Sequence, residues 1–291
     1  MKKYSIRDIE KLTGIKAHTI RMWEKRYNIL EPDRTSTNIR KYSDQELKRI
    51  LNISILNSCG LKISRIAGLT DNDLAIKVLE LQKENISEDV FIERMVVAMI
   101  ELNEELFEEI LDEAIEKKGF EQAMLLIVYP FLQKIGILWQ TGSINPAQEH
   151  FISHLIRQKL MVATDALKGK KADKATFILF LPVHEMHEIG LLFYNYLLRA
   201  RGYQVVYLGQ AVPFDDLEKV ATIRPAKYIL TFFVSPVPED GLQEYINKMH
   251  HTFPKAKIFV TGFQLGLEQD LSYPDNIVPV KAVSEFLTHL K

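Results

Sequence analysis

The chain has 291 residues, 47% of them apolar and 26% charged, a balance that excludes wholesale disorder and gives room for two or three domains. No apolar run reaches the ~20 residues of a membrane helix, and a single cysteine, Cys59, excludes a disulfide framework or a cysteine zinc cluster. The net charge of −1 hides an asymmetry: residues 1–70 hold 15 Lys+Arg against 7 Asp+Glu, a net of +8, while the rest holds 22 against 31, a net of −9, as expected of a nucleic-acid reader joined to another module.

The opening Met1-Lys2-Lys3-Tyr4 has no apolar stretch after its charges, so no secretory leader is expected and the protein reads as cytoplasmic. Ser5 to Thr13 predicts a short helix capped by Ser5, with Ile6, Ile9 and Leu12 at spacing three. Gly14 breaks it, and a second helix over 17–27 turns Ile20 and Trp23 inward and Arg21, Lys25 and Arg26 outward. Two short helices joined through a glycine turn form a helix-turn-helix, whose second helix enters the major groove. Residues 31–42 then form a polar hairpin with three cations, Arg34, Arg40 and Lys41, ending on Tyr42 and suited to lie along phosphates. Ser43-Asp44-Gln45-Glu46 is a capping box for a helix through Leu47, Ile50, Leu51 and Ile55. Through Tyr4-Ser5-Ile6, Thr19-Ile20-Arg21-Met22-Trp23-Glu24, Arg34-Thr35 and Arg40-Lys41-Tyr42, this segment resembles the MerR family of transcription regulators. The resemblance implies DNA contacts by Thr19, Arg21, Lys25, Arg34, Arg40, Lys41 and Tyr42, whereas Trp23 is expected in the core.

From about Asp73 to Lys168 the pattern is helical. Stripes run through Phe91, Met95, Val96, Met99 and Ile100, then Leu106, Ile110, Leu111 and Ile115, then Met124, Leu125, Val128, Phe131, Leu132, Ile135 and Leu138. A fourth helix opens at Asn145-Pro146-Ala147-Gln148, with Asn at the cap, Pro in the first turn and Gln at the third position. Four amphipathic helices with short links make an antiparallel bundle. The 3.5-period seam of a dimerising coiled coil is missing, so another surface has to supply any dimer contact. Trp139 closes the third helix and Glu149-His150 fall in the first turn of the fourth, placing all three at one end of the bundle.

Beyond residue 171 the period changes. Short apolar runs at 176–181, 205–208, 228–234, 257–260 and 277–280 alternate with amphipathic stretches at 188–201, 214–223, 239–252 and 282–290. This alternation predicts a parallel sheet with helices on both faces, where ligands bind at the carboxyl ends of the strands. The loop after the first strand, Pro182-Val183-His184-Glu185-Met186-His187-Glu188-Ile189-Gly190, is no glycine-rich phosphate loop, and its histidines lack the i, i+4 spacing of a metalloprotease. Glu185-x-His187-x-x-Gly190 resembles the cobalamin-binding module, whose histidine is the lower axial ligand of cobalt. On that resemblance His187 is the metal ligand and Glu185 holds its other ring nitrogen. Gly190 leaves room for the detached nucleotide tail, and Ser235-x-Val237 meets that tail. Thr261-Gly262 stands where the module has a glycine pair, and Phe263 departs from it, crowding the tail unless its ring turns away.

The whole chain is similar to the light-sensing adenosylcobalamin repressors of carotenoid genes. The implied fold class is multidomain α and α/β: a winged helix-turn-helix head over 1–72, a four-helix bundle over 73–170 that caps cobalamin, and a Rossmann-like, flavodoxin-type doubly wound parallel-sheet domain over 171–291. In that family Trp139, Glu149 and His150 would cover the upper face of the corrinoid, Glu149 bonding the ribose. Gln140 stands where some members have a histidine directly after the tryptophan. The expected function is a DNA-binding repressor, not an enzyme, controlled by adenosylcobalamin and light. It would act as a homodimer or homotetramer on a double-stranded operator with repeated half-sites, in competition with RNA polymerase. A regulator whose sensor is empty or answers to a protein partner is the alternative. A cobalamin methyltransferase or mutase is disfavoured, since no barrel-sized substrate domain remains.

Overall fold

A hydroxyl placed three residues ahead of an acid satisfies orphan amides at a helix start, and the head uses this device twice. The computed structural model describes residues 4–80, 87–140, 144–169, 172–237, 241–268 and 270–290. The Asp8 amide donates to Ser5 Oγ (3.3 Å) and the Ser5 amide to Asp8 Oδ2 (2.8 Å), opening α1 (Ile6–Thr13). Gly14, at φ 71°, ends it in the left-handed conformation where a Cβ is penalised, and α2 (Ala17–Tyr27) follows. β1 (Asp33–Arg34) and β2 (Arg40–Lys41) pair antiparallel as the wing, and Tyr4 bridges to Tyr42 beside them. The second capping box, Ser43 with Glu46, opens α3 (Asp44–Ser58). Trp23 is buried, as its place on the inner face of α2 requires.

The chain continues through α4 (Ile63–Ile66), α5 (Asp71–Glu80), α6 (Glu88–Glu101), α7 (Glu104–Lys118) and α8 (Phe120–Ala123). A π turn over Met124–Val128 leads into α9 (Tyr129–Gln140), and α10 (Pro146–Asp165) closes the helical part. Asn145 and Gln148 cap α10 reciprocally: the Ala147 amide donates to Asn145 Oδ1 and the Asn145 amide to Gln148 Oε1. Two expectations are corrected. The π turn adds a residue to one turn, so the buried stripe of the third helix runs through Ile127 and leaves Leu125 and Leu132 only half-buried. And α6 is not amphipathic: every residue from Val90 to Met99 is buried, Glu93 and Arg94 included, because α3, α7 and α9 surround it. Arg94 is offset by Glu113 of α7 at 2.7 Å.

The described residues divide into two compact units, Met1–Leu155 and Ile156–Lys291. In the second, β3 (Lys174–Pro182), β4 (Tyr203–Val212), β5 (Tyr228–Phe232), β6 (Lys257–Thr261) and β7 (Ile277–Pro279) form one parallel sheet. Their order is β4-β3-β5-β6-β7, the flavodoxin arrangement. Alternating side chains divide its two faces. Phe177, Leu179, Leu181 and Phe259 pack with α11 (Glu188–Ala200) and α15 (Val283–Thr288). Ile178, Phe180, Ile258 and Val260 pack with α12 (Phe214–Ile223) and α13 (Gly241–Thr252). A short α14 (Gln264–Leu267), absent from the sequence reading, follows β6. Among the described residues no helix is long and apolar enough to cross a membrane.

Two glycines at the carboxyl edge differ in what they exclude. A Cβ on Gly262, whose φ is 122°, would lie 2.3 Å from the Phe233 carbonyl oxygen, whereas one on Gly190 would meet the Phe232 ring at 2.7 Å. A ring can shift and a strand carbonyl cannot. Gly262→Ala is therefore expected to destabilise the fold by roughly 3 kcal/mol or more and Gly190→Ala by about 1–3 kcal/mol, ranked by urea denaturation.

Candidate functional site

Where the strand order of a doubly wound sheet reverses, the loops on either side diverge and leave a crevice. Here that point lies between β3 and β5, and one carboxylate fills it. Glu185, only 4% exposed, follows β3. Its Oε2 accepts the Val234 and Ser235 amides just after β5, each at 2.7 Å. Its Oε1 accepts the His187 amide at 3.0 Å and lies 2.6 Å from His187 Nδ1, with Ser235 Oγ 3.3 Å from the same ring nitrogen. Burial alone would raise the Glu185 pKa, but the bonds from His187, Ser235 and Val234 outweigh it and hold the acid down to about 2. A carboxylate that stays ionised accepts hydrogen bonds, so Nδ1 carries the proton, and whenever the ring is neutral its lone pair lies on Nε2. The His187 side chain is 61% exposed at the sheet edge. His184 is exposed as well, but of the two only His187 is tied to Glu185.

Other groups brace this corner. Gln264 donates through its amide to the Phe233 carbonyl and through Nε2 to the Val234 carbonyl, both at 3.0 Å, so the loop after β5 is held from β3 and from β6. At the start of α11, Tyr207 donates to Glu188 Oε1 at 2.8 Å, while Arg157 Nε lies 3.3 Å from Glu188 Oε2. Val183, Met186, Phe263 and Leu267 form an exposed apolar set on the loops of this edge. Among the described residues no group of three or more His, Cys, Asp or Glu is arranged to hold a bare metal ion.

The axial half of the resemblance fits these residues: an exposed imidazole with its tautomer fixed by a buried acid, on an apolar rim. Phe263 is 61% exposed, its ring turned out to solvent, which removes the crowding expected from it. The role of Gly190 is corrected. The place beside it is filled by the Phe232 ring, so this glycine serves close packing of α11 on β5 rather than an open tail channel. Ser235 and Val237 instead line a cavity of about 610 Å³ on the α12–α13 face, with His184, Tyr245 and Lys248.

At the bundle end, the side chains of Trp139 and Gln140 lie outside the described residues. Glu149 accepts from Ser153 Oγ at 2.6 Å and has His150 Nδ1 at 3.4 Å, and the His150 side chain is 73% exposed.

In the head, Arg21 and Lys25 stand one turn apart and exposed on α2, with Thr19 half-buried between them and the core. Arg34 is exposed on the wing, where it donates to Asn38 at 2.6 Å. Lys41 is half-buried. Tyr42 is fully buried and offers no surface to a duplex, so its expected DNA contact is corrected. Its hydroxyl donates to Glu24 of α2, whose other oxygen accepts from Arg40 Nε at 2.8 Å. Glu24 thus joins the second helix to the wing. It was read only as part of a motif, because nothing local shows that an acid beside Trp23 has two partners sixteen and eighteen residues away.

Comparison with known proteins finds two family matches, one over the head and one over the helices that follow it. Residues 4–73 match the MerR HTH family regulatory protein model and residues 91–164 the B12 binding domain model. The HTH-type transcriptional repressor CarH of Myxococcus xanthus is 28% identical over 260 residues, covering 87% of this chain and 86% of that protein. The repressor CarA of the same organism is 29% identical over 238 residues, covering 81% and 78%. In fold alone, the monomethylamine corrinoid protein of Methanosarcina barkeri superposes over 68% of this chain and 92% of its own, at 16% identity and a TM-score of 0.52. The chain joins a MerR-type helix-turn-helix domain to a B12-binding domain, and is a transcription regulator similar to the CarH and CarA repressors.

Proposed function

We propose that the protein is a repressor whose hold on DNA is set by adenosylcobalamin and by light, with His187 as the lower axial ligand of cobalt. The observation that carries this reading is the Glu185–His187 pair: a buried anion fixes Nδ1–H and leaves Nε2 in the form that ligates a metal. A lone protein ligand suits a metal that arrives inside a macrocycle. Bound adenosylcobalamin supplies a cobalt–carbon bond that light breaks. The chain's own residues do the rest. Glu185 orients the imidazole, Val183 and Met186 offer apolar surface beside it, and Trp139, Glu149 and His150 are assigned to the upper ligand's side. Gln140, which has no imidazole, stands where some members of the light-sensing family have a histidine, leaving His150 or His154 to supply one on that side. On this reading the protein works as a homo-oligomer in the cytoplasm, one head to each operator half-site, in competition with RNA polymerase.

The absorption spectrum after reconstitution with adenosylcobalamin, before and after green light, tests the sensor. The parent should show the spectrum of cobalamin with its own base replaced by histidine, and light should change it. His187→Ala should lose that form while keeping fold and basal DNA binding, since an exposed imidazole contributes little to stability. His184→Ala should behave as the parent. If His187→Ala binds and bleaches as the parent does, the assignment fails.

Glu185→Gln keeps the shape but loses the anion, and is expected to weaken cobalamin binding by about 10–100-fold. Because the acid's pKa is lowered in the fold, its contribution to stability is present above the ordinary carboxylate range. It is lost as pH falls from about 4.5 towards about 2. The variant's melting temperature should therefore lack the parent's decline in that window.

For the DNA face, replacing Arg34 and Lys41 by Ala should weaken binding to all sequences alike and lower the slope of log affinity against log salt by about one unit per lost phosphate contact. An unchanged slope would remove the wing from the interface.

A further inference from the structure

Among the described residues of the first unit is a buried acid that the reading above does not use. Glu93, in the middle of α6, is 6% exposed. Its Oε1 lies 3.1 Å from Ser54 Oγ of α3, and the same hydroxyl lies 3.2 Å from the carbonyl of Thr13. Thr13 is the last residue of α1, directly before the Gly14 turn of the helix-turn-helix. The adjacent carbonyl, of Leu12, accepts from Lys134 Nζ of α9 at 3.3 Å. The end of the first reading-head helix is thus capped from two other helices.

A serine hydroxyl has one proton, and a carboxylate and a carbonyl are both acceptors. With Glu93 ionised, either the Glu93 or the Thr13 contact would set two lone pairs against each other in a buried place. With Glu93 protonated, the chain closes: Glu93 O–H donates to Ser54, and Ser54 O–H donates to Thr13. We propose that Glu93 is a positioning residue, a neutral acid that acts through Ser54 to fix the turn between α1 and α2, so that loss of its proton loosens the DNA-reading helix. This rests on the helix-turn-helix alone and is independent of cobalamin.

The surroundings agree. Burial is the largest influence on the acid, raising its pKa to about 8 against the opposing effects of Ser54 and Lys134, and Asp89, one turn earlier on α6, raises it further. The other helices packed on α6 add no competing charge. Glu113 of α7 is taken by Arg94 and Lys117, and the Met124–Val128 turn has no titratable residue. Because the pKa is raised in the fold, this stabilisation is complete below the ordinary carboxylate range and is lost as pH rises towards about 8.

Glu93→Gln is the decisive variant, since its amide donates to Ser54 at every pH. Melting temperatures of the full chain should fall with rising pH more steeply in the parent than in Glu93→Gln, the difference levelling off above pH about 8. Parallel profiles would overturn the proposal. Amide hydrogen exchange at Gly14, Ile15 and Ala17 supplies a second readout. Ser54→Ala, which leaves the acid in place, should speed it several-fold and Glu93→Gln should not. Unchanged exchange in Ser54→Ala would show that the relay does not hold the turn. With a random-sequence duplex as probe, the parent should lose affinity between pH about 6 and 9 beyond the loss shared with Glu93→Gln. An equal loss in both would sever the relay from DNA reading.

Discussion

Glu185 keeps its charge where a charge is expensive, and most of the sheet's carboxyl edge is arranged around that fact. A buried carboxylate without partners protonates or destabilises the fold. This one takes two amides from the loop after β5 and an amide and a ring nitrogen from its own loop, and these donors overcome the burial penalty. The same bonds close the switch point between β3 and β5, so one side chain both ties the sheet's divergent loops and sets the tautomer of His187. An amide in its place would turn one acceptor into a donor facing N–H groups.

In the head the equivalent centre is Glu24. Its two oxygens take Tyr42 and Arg40, which lie on either side of Lys41, so the second helix is tied to the wing at two points. Burial and then the Glu24 bond push the Tyr42 phenol's pKa up, which keeps its hydroxyl a donor. Arg40 therefore reaches any phosphate with its Nε already engaged, while Arg34 and Lys41 keep their ammonium or guanidinium groups nearer to solvent.

These arrangements differ in how far the sequence discloses them. Capping boxes at Ser5 and Ser43, the glycine stop at Gly14 and the alternation of apolar runs beyond residue 171 are local signals, and the elements appear close to the expected bounds. Glu185-x-His187 was legible for the same reason, because acid and base lie two residues apart in one loop. What local pattern does not contain is the partner from elsewhere. Gln264, Glu24 and Glu93 act through groups 16 to 39 residues away or more. The burial of Glu93 and Arg94 reversed the usual reading of charges as a solvent face, because α6 is enclosed on all sides. Gly190 was misread because a glycine leaves space without saying what fills it, and here a neighbouring phenylalanine does.

His187 sits between two acids fixed by different neighbours, and this constrains what any event at its ring can do. Glu185, two residues before it, is held by the loop after β5. Glu188, directly after it and the first residue of α11, is held by Tyr207 of β4 and faces Arg157 of α10. A Cβ on Gly209 would come within 3.5 Å of Glu188 Oε1, so the strand lies close against that carboxylate. The imidazole's backbone therefore has little freedom to follow its ring independently. Force on Nε2 passes into the Glu185 bonds on one side and the first turn of α11 on the other. Packed interiors yield by shifting whole elements rather than by stretching continuously, so the histidine is held by two rigid supports, the Glu185 loop and the first turn of α11.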